Sequence, residues 1–141
     1  MRPYDYQVPL LVAQIYDDLK RYDEASASRR RGIHLAEEHL MLSPDDVRAV
    51  YMAANGMAAL GQKERSLEWV KRALNLRPNE PMVLYNAACI YALCGESEDA
   101  LDCLEKAFTQ GFYYLNWTEN DSNLDSIRNH ARFLNLMKKI R

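Results

Sequence analysis

Apolar and small side chains recur along this chain at intervals of three and four residues, the spacing that lines one face of an α-helix. Val8, Leu11, Val12, Ile15, Tyr16 and Leu19 form the first such stripe and predict a helix over residues 6–20, with Pro9 in its opening turns. After a tight turn a second helix continues through Ile33, Ala36 and Leu40 to about residue 42. Ser43-Pro44-Asp45-Asp46 carries the signals of a helix start: Ser43 to cap, Pro44 suited to the first helical position, two acids facing the positive end of the helix dipole. That helix is expected to end at Leu60, with Gly61 as the left-handed stop. Further helices are expected over residues 63–76, closed by Arg77-Pro78, then from a capping Asn79 to residue 93, then over 97–110, with Gly95 and Gly111 as stops.

Laid on itself at an offset of 34 residues, the stretch 47–111 coincides at its small and apolar positions. Ala53 and Ala54 fall on Ala87 and Ala88, Leu60-Gly61 on Cys94-Gly95, Leu67 on Leu101, Val70 on Leu104, Arg72 on Lys106 and Ala73 on Ala107. A fixed internal period of this size predicts a helical-repeat architecture. Ala13, Tyr16, Leu19 and Ala25 precede Ala54, Met57, Leu60 and Ser66 by 41 residues, and the seven extra residues lengthen the second helix by about two turns. Loops of two or three residues inside each pair force antiparallel neighbours. The alanines mark where helix axes approach, because a methyl side chain permits close contact. Past Gly111 the period fades. The aromatic run 112–117 predicts a shortened helix, residues 121–128 a helical turn with Leu124 and Ile127 inward, and Asn129 the cap of a last helix bearing Phe133, Leu134, Leu136, Met137 and Ile140. Lys138, Lys139 and Arg141 suit that helix's negative end.

These residues and spacings resemble the tetratricopeptide repeat. That family's pattern falls on Ala53, Ala54, Met57, Gly61, Ser66, Ala73 and Pro78, and again on Ala87, Ala88, Tyr91, Gly95, Ala100 and Ala107, with Phe112 where Pro is usual. In the first repeat it falls on Ala13, Tyr16 and Ala25, with departures at Lys20, which replaces the turn glycine, and at Arg29, which replaces an apolar residue. The resemblance implies an all-α, right-handed superhelix of three antiparallel helix pairs plus a C-terminal capping helical segment. It would form a single domain over residues 1–141: repeats at about 6–43, 44–78 and 79–111, and a cap over 112–141. Trp117, the run 123–128 and Ala131-Arg132-Phe133-Leu134 also resemble the ends of C-terminal repeat regions in bacterial signalling proteins: nucleotide cyclases, TolB-like regulators and transcription factors.

Composition narrows the function. Twenty acids against eighteen basic residues leave a net charge of -2, which gives no general attraction to nucleic acid or to an anionic membrane. The N-terminal residues carry an early Asp5 and lack the apolar core of a signal peptide, and no apolar run is long enough to span a bilayer, so a cytoplasmic protein is expected. Cys89, Cys94 and Cys103 are odd in number, fit no zinc spacing and sit in apolar helical patterns, which predicts reduced structural thiols. Arg29, Arg30 and Arg31 fan over about 200° of a helix and cannot form one basic stripe. No metal site, cofactor or catalytic residue is expected: His34 and His39 are badly spaced to share a metal, and no serine or cysteine has a recognisable base. Trp69 and Trp117 are expected to be packing residues.

What remains is recognition of a protein or peptide. The first helix of each pair lines the concave side of such a stack. The resulting inward positions are Gln7, Leu10, Leu11 and Gln14, then Arg48, Tyr51, Met52 and Asn55, then Met82, Tyr85, Asn86 and Cys89. The last eight are the candidate partner-binding residues. Their mix of aromatic, thioether and amide groups suits an extended or helical peptide. The family's carboxylate clamp would use Asn55 and Asn86, but Tyr51 stands where its first basic residue belongs. The leading expectation is a non-catalytic interaction scaffold; the alternative is a regulatory or oligomerisation module of a larger signalling protein, with homodimerisation possible.

Overall fold

In the computed structural model, which describes residues 5–140, every regular element is helical. The expectations that fall on residues 1–4 and on Arg141 lie outside the described residues. The order is α1 (Gln7–Asp18), α2 (Tyr22–Leu42), α3 (Val47–Ala59), α4 (Lys63–Leu76), α5 (Pro81–Leu93), α6 (Ser97–Thr109), α7 (Leu115–Asn120), a 3₁₀ stretch (Ser122–Ile127) and α8 (Ala131–Ile140). Consecutive helices pack as antiparallel pairs, α1 with α2, α3 with α4 and α5 with α6, and each pair stacks on the next through α2–α3 and α4–α5.

The small residues sit where the helices touch. Ala13 and Ala25, Ala54 and Ser66, and Ala88 and Ala100 are each fully buried at the crossing of their pair. Ser66 keeps its hydroxyl there by donating to the Ala54 carbonyl at 2.7 Å. Around Leu10 the contact is closer still, both inside the first pair and across to the second. Gly32 and Gly56 leave room for Leu10, whose side-chain carbons would lie 2.5 Å and 3.1 Å from an added Cβ. The lengthened α2 has 21 residues against 14 in α4, and its extra turns bury Ala36 and Leu40 against α3.

Each pair turns by the same device. In the second, the Gln62 N–H donates to Met57 and the Gly61 N–H to Ala58; in the third, Glu96 donates to Tyr91 and Gly95 to Ala92. This double bond needs a left-handed residue, and Gly61 and Gly95 have φ of 81° and 78°. Lys20 completes the same pattern in the first pair, with φ 61° and bonds from Arg21 to Tyr16 and from Lys20 to Asp17. The non-glycine therefore occupies the glycine position of the repeat, and the 41-residue offset of the first pair is correct in three dimensions.

Three expectations of local chemistry are corrected. Ser43 does not cap α3: it ends α2, and Asp46 is the N-cap, accepting from the Ala49 N–H. Asn79 does not cap α5, which starts from Glu80 with Pro81 at its first turn. Asn129 does not cap α8: His130 does, its Nδ1 accepting from the first-turn N–H of Arg132 and its carbonyl from Leu134. Two apolar faces also differ. Leu134 points to solvent while Phe133 and Met137 are buried. The α1 stripe turns outward at Val8, Ile15 and Leu19, Leu11 is exposed at the mouth of the inner face, and the side chain α1 buries completely is Ala13.

Since a left-handed lysine costs about 1–2 kcal/mol and glycine gives back part of that through unfolded-chain entropy, Lys20→Gly is expected to stabilise the fold by about 0.5–1 kcal/mol. Thermal unfolding followed by circular dichroism should show the midpoint rising by a few degrees; a fall would mean that the Lys20 side chain contributes contacts that outweigh its backbone cost.

Candidate functional site

The first helices α1, α3 and α5 lie side by side, and their inward side chains meet in a cavity of about 480 Å³. Leu10, Leu11 and Gln14 come from α1, Tyr51, Met52 and Asn55 from α3, and Tyr85 and Asn86 from α5. Five of the eight candidate residues therefore share one space, because a helix repeats its facing about every seven residues and the three helices are in register. Arg48, Met82 and Cys89 are not among its lining residues: Arg48 is exposed, Met82 half-buried and Cys89 buried.

The tail supplies the far wall. Trp117 and Asn120 of α7, with Asp121, Ser122 and Asn123, line the cavity opposite α1. The 3₁₀ stretch packs on α5 as a following first helix would, burying Leu124 and Ile127, and Ser126 donates to the Ala92 carbonyl at 2.9 Å. Arg128 fastens the turn by donating to the carbonyls of Glu119 and Asp121. In this arrangement two of the candidate residues touch the tail. Tyr85, only 1% exposed, stacks on Phe112 at 4.3 Å and donates to Asp121 Oδ2 at 2.7 Å. The Cys89 thiol lies 3.7 Å from the same carboxylate oxygen and is 2% exposed. Both inner-face positions are covered by the chain's own tail, since a phenol and a thiol at the third pair need partners that the tail carboxylate provides. Burial and Asp121 push both the Tyr85 hydroxyl and the Cys89 thiol well above their ordinary ranges.

The remaining groups differ in availability. The Asn86 amide donates to the Met82 carbonyl of its own helix at 2.8 Å. Asn55 has no side-chain hydrogen-bond partner among the described residues and lies half-buried at the cavity wall. Trp117, expected as packing, is 51% exposed and tilts against Tyr85 and Tyr114, whereas Trp69 lies between Arg65 and Arg72 on α4. Arg29 is the basic residue at the cavity, and its guanidinium is held by Asp17 Oδ2 at 2.6 Å. Arg30 and Arg31 point elsewhere, so the three arginines do fan apart. Asp18 and Asp121 give the lining an acidic balance once the Arg29–Asp17 pair is counted as neutral.

No signal in the sequence marked Arg29 as a cavity residue, although its departure from the apolar pattern of Val70 and Leu104 was visible. The tail residues were missed because their place on α5 is a long-range contact. The cysteines are free, and burial raises the Cys103 thiol to about 11, so it stays protonated near neutrality. Among the described residues no group of His, Cys, Asp or Glu is arranged to hold a metal ion, and no helix is long and apolar enough to cross a membrane.

Consecutive antiparallel pairs in register, with a shared inner face, define an all-α helical-repeat protein. The tetratricopeptide repeat family matches residues 10–39 and 83–109, which are most of the first and third pairs, and supports a tetratricopeptide repeat protein. The unmatched second pair lies between them, 41 residues after the first and 34 before the third. No curated protein matches the chain. Repeats of this family generally mediate protein–protein interaction and are typically non-catalytic.

Two outcomes follow. Asp17→Ala leaves the Arg29 guanidinium, 10% exposed, without its partner and is expected to cost roughly 2 kcal/mol, while Arg29→Leu, which restores the residue type of the later pairs, should fall within about 1 kcal/mol of wild type in urea unfolding. Equal losses would show that the pair itself, rather than an uncompensated charge, sets the cost. Burial raises Tyr6 and Tyr91 to about 12 from an ordinary 10.0. The folded state thus favours the neutral phenols: that stability is complete below about pH 10 and is lost as pH rises through about 12. The part of the phenolate absorbance that is lost in Tyr6→Phe and Tyr91→Phe should rise together with loss of helix signal; that part rising in the still-folded chain would contradict this.

Proposed function

We propose that this chain is a non-catalytic interaction module that holds a peptide or protein segment in the cavity between α1, α3, α5 and the tail. The observation that carries this reading is the convergence of Tyr51, Met52, Asn55, Leu10 and Gln14 with the half-exposed Trp117 around one space of about 480 Å³. Met and Trp offer apolar contact area, and the free Asn55 amide can donate to and accept from an extended backbone. The electrostatics narrow the ligand. A terminal carboxylate needs charge-assisted donors, and Arg29 is already engaged by Asp17. Asp18 and Asp121 instead suit a segment that is uncharged or basic at the part entering the cavity. Tyr85 and Cys89 act in this reading as seats for the tail, and Arg48 and Met82 extend the inner face beyond the cavity.

A second reading keeps the same groove but gives it to a regulatory module of a larger signalling protein in the cytoplasm. The tail seated on Tyr85 supports it, because the inner face already accepts a segment of its own polypeptide.

Binders selected from a random peptide library and measured by calorimetry against the intact chain test the proposal. Tyr51→Ala with Asn55→Ala should weaken selected peptides by at least about tenfold, equivalent to about 1.4 kcal/mol, with the helix signal unchanged, and Trp117 emission should shift on binding. Peptides that bind the double variant as tightly as wild type would place recognition elsewhere on the molecule.

A further inference from the structure

Val8 and Ile15 of the outward α1 stripe occupy repeat positions that are buried in the later pairs, whereas the equivalents of Leu11, Met52 and Asn86, are half-buried at the inner face. At the offsets of 41 and 34 residues, Val8 corresponds to Ala49 and Val83, Ile15 to Gly56 and Ile90, and Leu19 to Leu60 and Cys94. Ala49, Val83 and Ile90 are fully buried, and the Gly56 position faces Leu10 and Ile33 of the preceding pair. Ile15 and Leu19 are 57% and 60% exposed. Beside the stripe an open groove between α1 and α2 is lined by Val8, Val12, Tyr16 and Leu35. The later equivalents of Val12 and Tyr16 are fully or almost fully buried: Ala53 and Met57, Ala87 and Tyr91. The face of α1 is therefore a helix-stacking surface with nothing stacked on it among the described residues.

The opposite end of the stack is closed. The 3₁₀ stretch covers α5, and α8 is fastened to α6 by Arg132, which reaches Glu98, Asp102 and Glu105 at 2.7, 2.9 and 3.1 Å. A head-to-tail contact between copies would need both ends open, whereas a two-fold contact needs only one. The stripe is suited to such a contact. Laid antiparallel on itself about its midpoint, α1 sets Leu11 against Ile15 of a second copy and Val8 against Leu19. The same operation sets Asp5, at the start of α1, beside Lys20 of the second copy, just after its end. Lys20 is exposed and has no ion-pair partner among the described residues. The two helix dipoles then run in opposite directions, which is the favourable sense.

We propose that two copies of this chain associate through α1, packed antiparallel across a two-fold axis by Val8, Leu11, Ile15 and Leu19 and flanked by Asp5–Lys20 pairs. The contact leaves Tyr51, Met52 and Asn55 free and shares Leu11 with the cavity wall, so its test at Ile15, outside the cavity lining, reads separately from that of the cavity. One helix stripe per copy is a small interface, which sets the expected dissociation constant near about 10–100 µM.

Sedimentation equilibrium of the whole chain from about 1 µM to about 1 mM reads this directly. The mass should climb from one chain to two across that range. Ile15→Glu, on an exposed position, should raise the dissociation constant at least about tenfold with the circular dichroism spectrum unchanged. Lys20→Asp should weaken the dimer about threefold, and adding Asp5→Lys should recover it. A single-chain mass throughout, as a different helix docking on this face would produce, overturns the proposal. So does a dimer indifferent to Ile15→Glu, and a dimer that the charge reversal does not restore overturns the antiparallel packing.

Discussion

Close contact between helix backbones, permitted by side chains no larger than a methyl or hydroxymethyl group, is the constraint from which the rest of this structure follows. Ala13, Ala54 and Ala88 face Ala25, Ser66 and Ala100 with no exposed surface at all. A larger residue at any of these sites would push two axes apart and lose the dispersion contacts of everything packed around them. Leu10 shows how finely the spacing is set, since it fills the room left by Gly32 and Gly56 and so locks the first pair to the second. With the axes held at this distance, short left-handed turns can repeat and successive first helices are brought side by side.

The inner face exists because of that alignment, but its shape comes from the tail. Phe112, Trp117 and Asp121 turn the third pair's inner residues into a wall, and the Tyr85 hydroxyl is satisfied by a carboxylate 36 positions further along the chain. A buried phenol without that acceptor would be costly, and the half-buried carboxylate gains a donor in return. The tail and the third pair therefore hold each other in place. What stays open is the part of the face contributed by α1 and α3, where Met52 and Asn55 are half-buried at the cavity wall.

The two ends of the stack contrast in the same terms. At the C-terminal end, Leu124 and Ile127 cover α5, and the Arg132 cluster turns a charged surface outward. On α1, Ile15 and Leu19 present to water the side chains that a stacked neighbour would cover. Repeat architectures bury their apolar faces by stacking rather than by closing a shell, so a helix face left uncovered among the described residues keeps the apolar side chains of a stacking surface.

The sequence alone determined the helices, their pairing and the inward positions, because helical periodicity and the placement of glycine and alanine are local and recur. It even marked Lys20 as a turn residue out of type, though not that its backbone would follow the glycine path. Only the tertiary structure decided which of those positions remain available. Tyr85 and Cys89 contact the tail, Arg29 is drawn to Asp17 at the cavity edge, and Val8, Ile15 and Leu19 of α1 turn to solvent. Each of these depends on what another part of the chain places against the residue, and a contact across 12 or 36 positions leaves no periodic trace in the residues that make it.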